Sequence, residues 1–120
     1  MKIKAILIDA ENRKIVPVEV EKNGINDYYK FIKCECFTVA GYFKNGAAIF
    51  VDDEGLFRSN NFFQVVNSGF SNYQPFAGNG LIISSNEEGE AIDCDIALKS
   101  IKIRFMDRQT VALIASMSQN

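Results

Sequence analysis

The sequence has 120 residues, of which 48% are hydrophobic and 23% are charged. This balance excludes disordered and low-complexity classes and predicts a single domain over residues 1–120 with a buried core. Thirteen Lys plus Arg against fifteen Asp plus Glu give a net charge of -2, which provides no basic footprint for nucleic acid, and the absence of histidine excludes Ser-His and Cys-His catalysis.

Two features of the sequence favour a cytoplasmic protein without a membrane partner. The apolar run near the start stops at Asp9 with no small-residue cleavage site, unlike a signal peptide. No stretch approaches the roughly 18 apolar residues of a membrane helix. The three cysteines form an odd set without the dense spacing of secreted disulfide-bonded domains, so we expect them to be reduced.

The first third of the chain predicts three strands and a helix. Apolar, β-branched runs at residues 2–9 and 14–20 predict an antiparallel hairpin. Because Pro17 lacks a ladder donor, the second run is predicted to be an edge strand. Apolar residues at helical spacing predict a short helix over residues 25–33. Residues 34–43 are apolar on both faces and predict a central strand.

Shorter strands are predicted in the middle of the chain. Residues 47–51 predict a strand, and the turn after it contains Gly55, which is suited to a positive φ. Residues 56–58 are predicted to return antiparallel. Residues 62–66 are predicted to form a helical turn, and a buried strand at residues 81–84 leads into a further hairpin.

The last third of the chain has a pattern that fits two structures. The apolar residues of 94–106 fit one face of a helix, but the alternation in the same stretch fits a strand equally well. We predict a helix at residues 94–100 and a strand at residues 101–106. A final helix is predicted from Arg108 to Met117 with Asp107 as its cap, and the last three residues are expected to fray.

Together these elements predict an α+β fold in a single domain. It consists of a largely antiparallel sheet of five to seven strands with two or three short helices. The exposed edge at residues 14–20 would allow pairing with a second copy of the chain, although Pro17 and the neighbouring glutamates oppose this homo-oligomer.

The segment from Ser59 to Asn86 is the most unusual part of the sequence, because none of its 28 residues is charged. Since interface cores are depleted in charge and enriched in aromatic residues, the segment predicts a recognition surface for a protein or a small ligand. The candidate residues are Phe62, Phe63, Phe70, Tyr73, Phe76 and Asn79. The same composition fits equally a long loop packed over the core by its phenylalanines. Binding without catalysis is the function that the sequence favours.

Two other functions are alternatives. A hydrolase or transferase would need two carboxylates to converge in a cleft. The candidates for this role are Asp52, Asp53, Glu88 and Asp93. A nucleic-acid binder, which the net charge disfavours, would use the basic residues within 99–108. These residues are Lys99, Lys102, Arg104 and Arg108. If this stretch is a strand, Lys102 and Arg104 project from the same face.

The cysteines favour core positions over metal ligation. Cys34 and Cys36 are closer in sequence than the usual zinc-knuckle pair, and with Cys94 they supply three of the four ligands that zinc requires. As residues i and i+2 of a strand, Cys34 and Cys36 are predicted to fill the core from one face. Gly78 and Gly80 predict a tight turn before a strand instead of a phosphate-binding loop. No metal and no cofactor is predicted.

Several segments, taken in chain order, resemble a known family. They are residues 48–56 (Ala-Ile-Phe-Val-Asp-Asp-Glu-Gly-Leu), Asn60 or Asn61, residues 78–83 (Gly-Asn-Gly-Leu-Ile-Ile) and residues 87–90 (Glu-Glu-Gly-Glu). Over residues 3–92 this order resembles a family of small uncharacterised domains of unknown function found in bacteria, bacteriophages and conjugative elements. The resemblance implies an intracellular accessory protein and carries over no catalytic or binding residues. The segment after Asp93 departs from the family's short pattern.

Overall fold

Nine strands and two α-helices follow one another in the part of the chain that the computed structural model describes, residues 1–22 and 24–117. Their bounds are β1 Lys2–Asp9, β2 Lys14–Glu21, α1 Asn26–Ile32, β3 Phe37–Tyr42, β4 Ala48–Asp52, β5 Asn61–Val65, β6 Phe76–Ala77, β7 Gly80–Ser85, β8 Ala91–Ile92, β9 Ile103–Asp107 and α2 Arg108–Met117. Two short 3-10 turns lie at Gly55–Phe57 and Leu98–Ser100. The predicted α+β class is confirmed. The three residues expected to fray lie outside the described residues.

The strands form two antiparallel sheets. The larger sheet has the strand order β2-β1-β7-β4-β3, with β8 paired to the end of β7. The smaller sheet has the order β6-β5-β9. The prediction that residues 34–43 form a central strand is wrong, because β3 is an edge strand. The outer edge of β3 is covered by residues 71–72: Tyr42 N donates to Ser71 Oγ at 2.8 Å, and Asn72 Nδ2 donates to Ala40 O at 3.2 Å.

One face of the larger sheet packs against the smaller sheet. Side chains alternate between the faces of a strand, so β7 sends Ile82 to this side and Leu81 to the other. The buried residues between the sheets include Ile6, Ile8, Ile49, Val51, Phe63, Val65, Phe70 and Ile82. This cluster forms the main core.

The two outer faces are each covered by one helix. On the far face of the larger sheet, α1 packs over Leu81 and Ile83 through Ile32 and the aromatic residues of the helix. On the far face of the smaller sheet, Val111 of α2 packs against Phe62 and Met106. The architecture is therefore four layers deep, in the order helix, large sheet, small sheet, helix.

Several local predictions in the middle of the chain are wrong. A 3-10 turn at Gly55–Phe57 replaces the returning strand predicted at residues 56–58, and residues 62–66 are mostly strand instead of a helical turn. Gly55 does not adopt a positive φ. It serves close packing, since a Cβ on Gly55 would lie 2.7 Å from the carbonyl oxygen of Ala77.

The C-terminal part mixes confirmed and wrong predictions. The α-helix predicted at residues 94–100 is wrong, because residues 94–97 form no helix and begin beside β1, where Cys94 N donates to Lys4 O at 2.9 Å, and only Leu98–Ser100 form a 3-10 turn. A strand and a final helix follow, as predicted, as β9 and α2. Asp107 caps α2 by accepting a hydrogen bond from Thr110 N at 2.7 Å, which also lowers the pKa of this carboxyl.

The free edge of β2 is protected against further strand pairing. Lys4 directs its backbone N–H and C=O away from β2, towards Asp93 and Cys94, so its ladder partner Glu19 directs its own backbone groups to the open edge. By the same alternation Pro17 and Glu21 also face the open edge. Pro17 has no N–H to offer, and Glu21 N already donates to Asp27 Oδ2 at 2.8 Å. The prediction of an edge strand is confirmed.

Restoring these donors should promote self-association through β2. In the double variant Pro17→Val and Asp27→Ala, the edge regains two free N–H groups, and sheet edges of this kind template pairing with another chain. Sedimentation velocity should show a larger average mass for the double variant than for the natural chain at equal concentration, with each single variant between them. An unchanged mass would show that Pro17 and Asp27 do not protect the edge.

Gly80 should tolerate no side chain, because the two sheets meet over it. A Cβ added there would lie 2.6 Å from Cζ of Phe63 and 3.1 Å from Cγ2 of Ile49. We expect Gly80→Ala to lower the free energy of unfolding by about 1–3 kcal/mol in urea titrations, the usual cost of overpacking. Gly24→Ala is the control, since its Cβ would contact only Glu21 Cβ at 3.4 Å, and it should change the value by about 0.5 kcal/mol or less. Equal effects would contradict the described packing.

Candidate functional site

The phenylalanines predicted to form a recognition surface lie mostly in the core. Phe63 and Phe70 are buried between the two sheets, and Phe62 is buried beneath α2. In these positions they are inaccessible to a partner. Burial explains the missing charge in only part of the segment: Phe62, Phe63, Phe70 and residues 79–84 lie in the core, where an unpaired charge would be costly, whereas residues 66–69 and 71–74 are mostly exposed.

The remaining candidate residues do not share one surface. Phe76 is partly buried with its ring centroid 5.7 Å from that of Phe63. Tyr73 is half exposed, and its hydroxyl accepts a hydrogen bond from Gly69 N at 3.0 Å, which closes the loop on itself. Asn79 lies elsewhere, at the start of β7. The structure thus separates the six residues into core, loop and cleft.

Asn79 lines a polar cleft of about 170 Å³ at one end of the larger sheet. Five chain segments meet there: the β1–β2 turn, the end of α1, the end of β4, the stretch that enters β5, and the turn before β7. The lining residues, which define the polar cleft, are Ala10, Glu11, Ile32, Lys33, Asp52, Arg58, Ser59, Asn61, Gly78 and Asn79.

Asn79 holds the cleft together from within. Its Oδ1 accepts a hydrogen bond from Ala10 N at 3.0 Å, and its Nδ2 donates to Phe31 O at 3.1 Å. One buried side chain therefore joins the β1–β2 turn to the last turn of α1. Gly78 precedes it with a φ of +83°, as expected for the predicted tight turn. Asn79 is thus a positioning residue of the polar cleft.

A nearly buried carboxylate faces a more exposed guanidinium in the polar cleft. The Asp52 side chain is 6% exposed, and its Oδ1 accepts a hydrogen bond from Glu54 N at 2.9 Å. Arg58 Nε lies 3.8 Å from Asp52 Oδ2, beyond hydrogen-bond distance, and the Arg58 side chain is 41% exposed. Within the described chain, the guanidinium has no other polar partner, so its N–H groups are available to a ligand.

A second, more exposed ion pair and an amide complete the polar lining. Lys33 Nζ lies 3.4 Å from Glu11 Oε2, and both side chains are well exposed to solvent. The amide of Asn61 has no hydrogen-bond partner among residues 1–22 and 24–117, although its backbone is bonded to Ser59 Oγ. The cleft therefore offers both donors and acceptors.

The cysteines do not gather into one site. Cys34 lies buried beneath α1, whereas Cys94 belongs to the core between the sheets. Cys36 is exposed, so its predicted place in the core is wrong; β3 begins after it, and the pair therefore lacks the strand alternation that the prediction assumed. Burial, aided by the negative charge of Asp52, raises the pKa of Cys34 to about 11. Cys34 is therefore a protonated thiol at neutral pH, poorly suited to nucleophilic attack.

The candidate carboxylates are spread along the larger sheet. Asp52 lies at the end of β4 beside the start of β7, because Val51 pairs with Gly80. Glu88 lies in the turn that follows the other end of β7. Asp93 accepts a hydrogen bond from Lys4 N at 2.8 Å. Asp52 and Glu88 are thus at opposite ends of one strand and cannot act as a pair.

The basic residues of 99–108 have separate surroundings. Arg104 lies in β9, Lys102 precedes this strand and donates its backbone N–H to Asn67 Oδ1 at 2.7 Å, and Lys99 lies in the preceding 3-10 turn. Arg108, in contrast, is used within the fold. Its Nη2 donates to the carbonyl oxygens of Leu56 and Ser59, and its guanidinium lies 5.4 Å from the centroid of the Phe62 ring. Arg108 is therefore not available to a phosphate while α2 is docked.

Asn79 and Asp52 of the polar cleft are candidates from the sequence, whereas Arg58, Lys33 and Asn61 are not predicted from it. Only the position of Arg58 in the sequence gives a weak indication of its role. It is the last charged residue before the uncharged segment. Lys33 has no such signal. It lies in the left-handed conformation that ends α1, with a φ of 62°, and this turn directs the chain past the cleft.

Thiol labelling can test the placement of the cysteines. We expect Cys36 alone to react rapidly with iodoacetamide at pH 8 in the native protein, because Cys34 and Cys94 are buried and Cys34 is also protonated. In denaturant all three should react. Mass spectrometry identifies the labelled residue, and Cys36→Ser should abolish the rapid reaction whereas Cys34→Ser should keep it. Rapid labelling of Cys34 would contradict its position beneath α1.

Comparison with known proteins connects the chain to a single family. No helix among the described residues has the length and apolar character needed to cross a bilayer. No curated protein and no solved structure matches the chain. A family match extends over residues 1–107, which include the whole polar cleft and end where α2 begins. The chain therefore belongs to the family described as Domain of unknown function (DUF3846).

Proposed function

We propose that the protein is a non-enzymatic binding module whose ligand occupies the polar cleft. One observation carries this proposal: the half-exposed guanidinium of Arg58 faces the nearly buried carboxylate of Asp52 at a distance too long for a hydrogen bond. A ligand group can therefore bind the guanidinium without first breaking a strong internal contact. Catalysis is less well supported, because Asp52 and Glu88 lie at opposite ends of β7 and Asp93 accepts a hydrogen bond from Lys4 N.

The lining of the cleft indicates the chemistry of the ligand. A guanidinium with free N–H groups suits a carboxylate or a phosphate, which it binds through two parallel hydrogen bonds. Asp52 repels a second negative charge and accepts a hydrogen bond from a donor. The ligand is therefore a small molecule with one anionic group and a neighbouring N–H or O–H donor.

The size of the cleft limits the ligand further. Pockets for drug-sized molecules have volumes of about 300–1,000 Å³, whereas this cleft has about 170 Å³. It would hold an amino acid or a compound of similar size, or one end of a larger molecule. All residues that line the cleft lie within the family match, which extends over residues 1–107.

A titration followed by NMR tests the proposal. Glycine, acetate and inorganic phosphate are added separately to ¹⁵N-labelled protein. We expect chemical-shift changes centred on Arg58, Asn61 and Lys33, with a larger effect of glycine than of acetate, because glycine brings both an anion and a donor. Shifts spread over many surface lysines, without a centre at the cleft, would contradict the proposal.

Variants separate the guanidinium from the net charge. Arg58→Gln should weaken binding by roughly tenfold or more, since a hydrogen bond to a charged group contributes about 1.5–3 kcal/mol. Arg104→Gln makes the same charge change on the outer face of the smaller sheet and should leave the affinity unchanged. Arg58→Lys keeps a positive charge near Asp52, so this variant controls for misfolding caused by loss of the charge. It should also weaken binding, because lysine lacks the planar guanidinium that forms two parallel hydrogen bonds. Equal affinities for all variants would exclude the polar cleft.

A further inference from the structure

The face of the larger sheet under α1 is only partly covered. α1 has seven residues, and beside it an open cavity of about 230 Å³ is lined by residues of β3, β4, β7 and β8. Tyr42 is 51% exposed and Val39 38% exposed at its margin. The surface consists of Tyr28, Val39, Tyr42, Phe50, Ile83 and Ala91, and we call it the aromatic shelf.

The floor of the aromatic shelf is held in place by ring packing. The centroid of the Tyr28 ring lies 5.4 Å from that of Phe37 and 5.5 Å from that of Phe50. Phe37 and Phe50 meet edge to face at 5.6 Å. A partner side chain placed here would therefore contact preorganised rings, which lowers the entropic cost of binding.

An acidic turn borders the aromatic shelf. The turn between β7 and β8 carries Glu87 and Glu88, and its Gly89 lines the shelf itself. Asn86 Oδ1 holds the turn in shape by accepting hydrogen bonds from Glu88 N and Glu90 N, both at 2.9 Å. Neither Glu87 nor Glu88 has an ion-pair partner in the described part of the chain, whereas Glu90 faces Lys22 at 3.9 Å. The turn that reaches the shelf through Gly89 thus carries two carboxylates without an ion-pair partner among residues 1–22 and 24–117.

We propose that the aromatic shelf binds a basic segment of another protein, with one apolar side chain on the rings and Lys or Arg beside the acidic turn. Exposed aromatic surface suits an apolar anchor and also attracts cations through the faces of the rings. The carboxylates of Glu87 and Glu88 select a positively charged partner and accelerate its approach. The site lies at the Ser85 end of β7, whereas the polar cleft lies at the Gly80 end, so the two sites are independent.

Fluorescence polarisation with two model peptides tests this proposal. The probe is a labelled dodecapeptide in which lysine alternates with leucine, and the comparison peptide has glutamate in place of every lysine. We expect the lysine peptide to bind at least about tenfold more tightly, with an affinity that falls as salt rises. Equal binding of both peptides would overturn the proposal, because it would show apolar adhesion without charge selection.

Two pairs of variants locate the site. Tyr42→Ser should weaken binding of the lysine peptide at least about fivefold, as for an interface anchor. Tyr73→Ser is its matched control, since Tyr73 is 50% exposed but lies outside the shelf, and it should have no effect. Glu87→Gln with Glu88→Gln should weaken binding and flatten its salt dependence, whereas Glu19→Gln with Glu21→Gln should not. Circular dichroism confirms that each variant is folded.

Three further outcomes would also overturn the proposal. Equal effects of Tyr42→Ser and Tyr73→Ser would place the peptide elsewhere. Equal effects of the two glutamate pairs would show that the lysine peptide responds to the net charge of the protein and not to the acidic turn. A natural dimer that Tyr42→Ser dissociates, without peptide binding, would identify a second copy of the chain as the occupant. Arg58→Gln should leave peptide binding unchanged, so failure at the polar cleft and failure at the shelf are distinguishable.

Discussion

The central strand β7 imposes the main constraint on this structure, because its Leu81, Ile82 and Ile83 are all buried although they point to alternate faces. Burial of each such side chain contributes about 1.5–3 kcal/mol, which is realised only if both faces of the larger sheet are covered. The chain covers one face with α1 and the other with the smaller sheet. The smaller sheet in turn exposes Phe62 and Met106 on its far face, which α2 covers.

Both proposed sites lie where this cover is incomplete. The polar cleft forms at one end of the larger sheet, where turns and helix ends meet and polar groups keep their access to water. The aromatic shelf forms at the other end, because a helix of seven residues cannot span five strands. The core therefore determines where concave surface is left, and the side chains at its margins determine what that surface can bind.

Much of the fold follows from local patterns in the sequence. The hairpin of β1 and β2, the edge position that Pro17 requires, and the Asp107 cap each depend on residues close together in the chain. The pattern fails where distant contacts decide the structure. Residues 62–66 fit a helical turn by composition, but they pair with β9 some forty residues later. Residues 94–97 are drawn into an extended path by β1.

The polar cleft could not have been predicted as a site for the same reason. Asp52 and Asn79 stand out in the sequence. No local pattern shows that Arg58 faces Asp52, or that Asn79 joins Ala10 to Phe31. Five segments separated along the chain have to fold before the cleft exists. The uncharged segment stands out in the sequence, but its composition does not separate the residues that enter the core from those of the exposed loop at residues 66–74.

The attachment of α2 to residues 55–61 has a consequence for how the protein tolerates substitution. Arg108 contacts this stretch mostly through main-chain carbonyls: its Nη2 donates to Leu56 O and Ser59 O, and its backbone N–H donates to Asn60 O. The same stretch supplies Arg58, Ser59 and Asn61 to the polar cleft. Carbonyl oxygens are present whatever side chains a turn bears. These contacts between the helix beyond the family match and the cleft wall therefore depend on the backbone path of the wall, so substitutions at Arg58 and Asn61 can change the cleft without removing them.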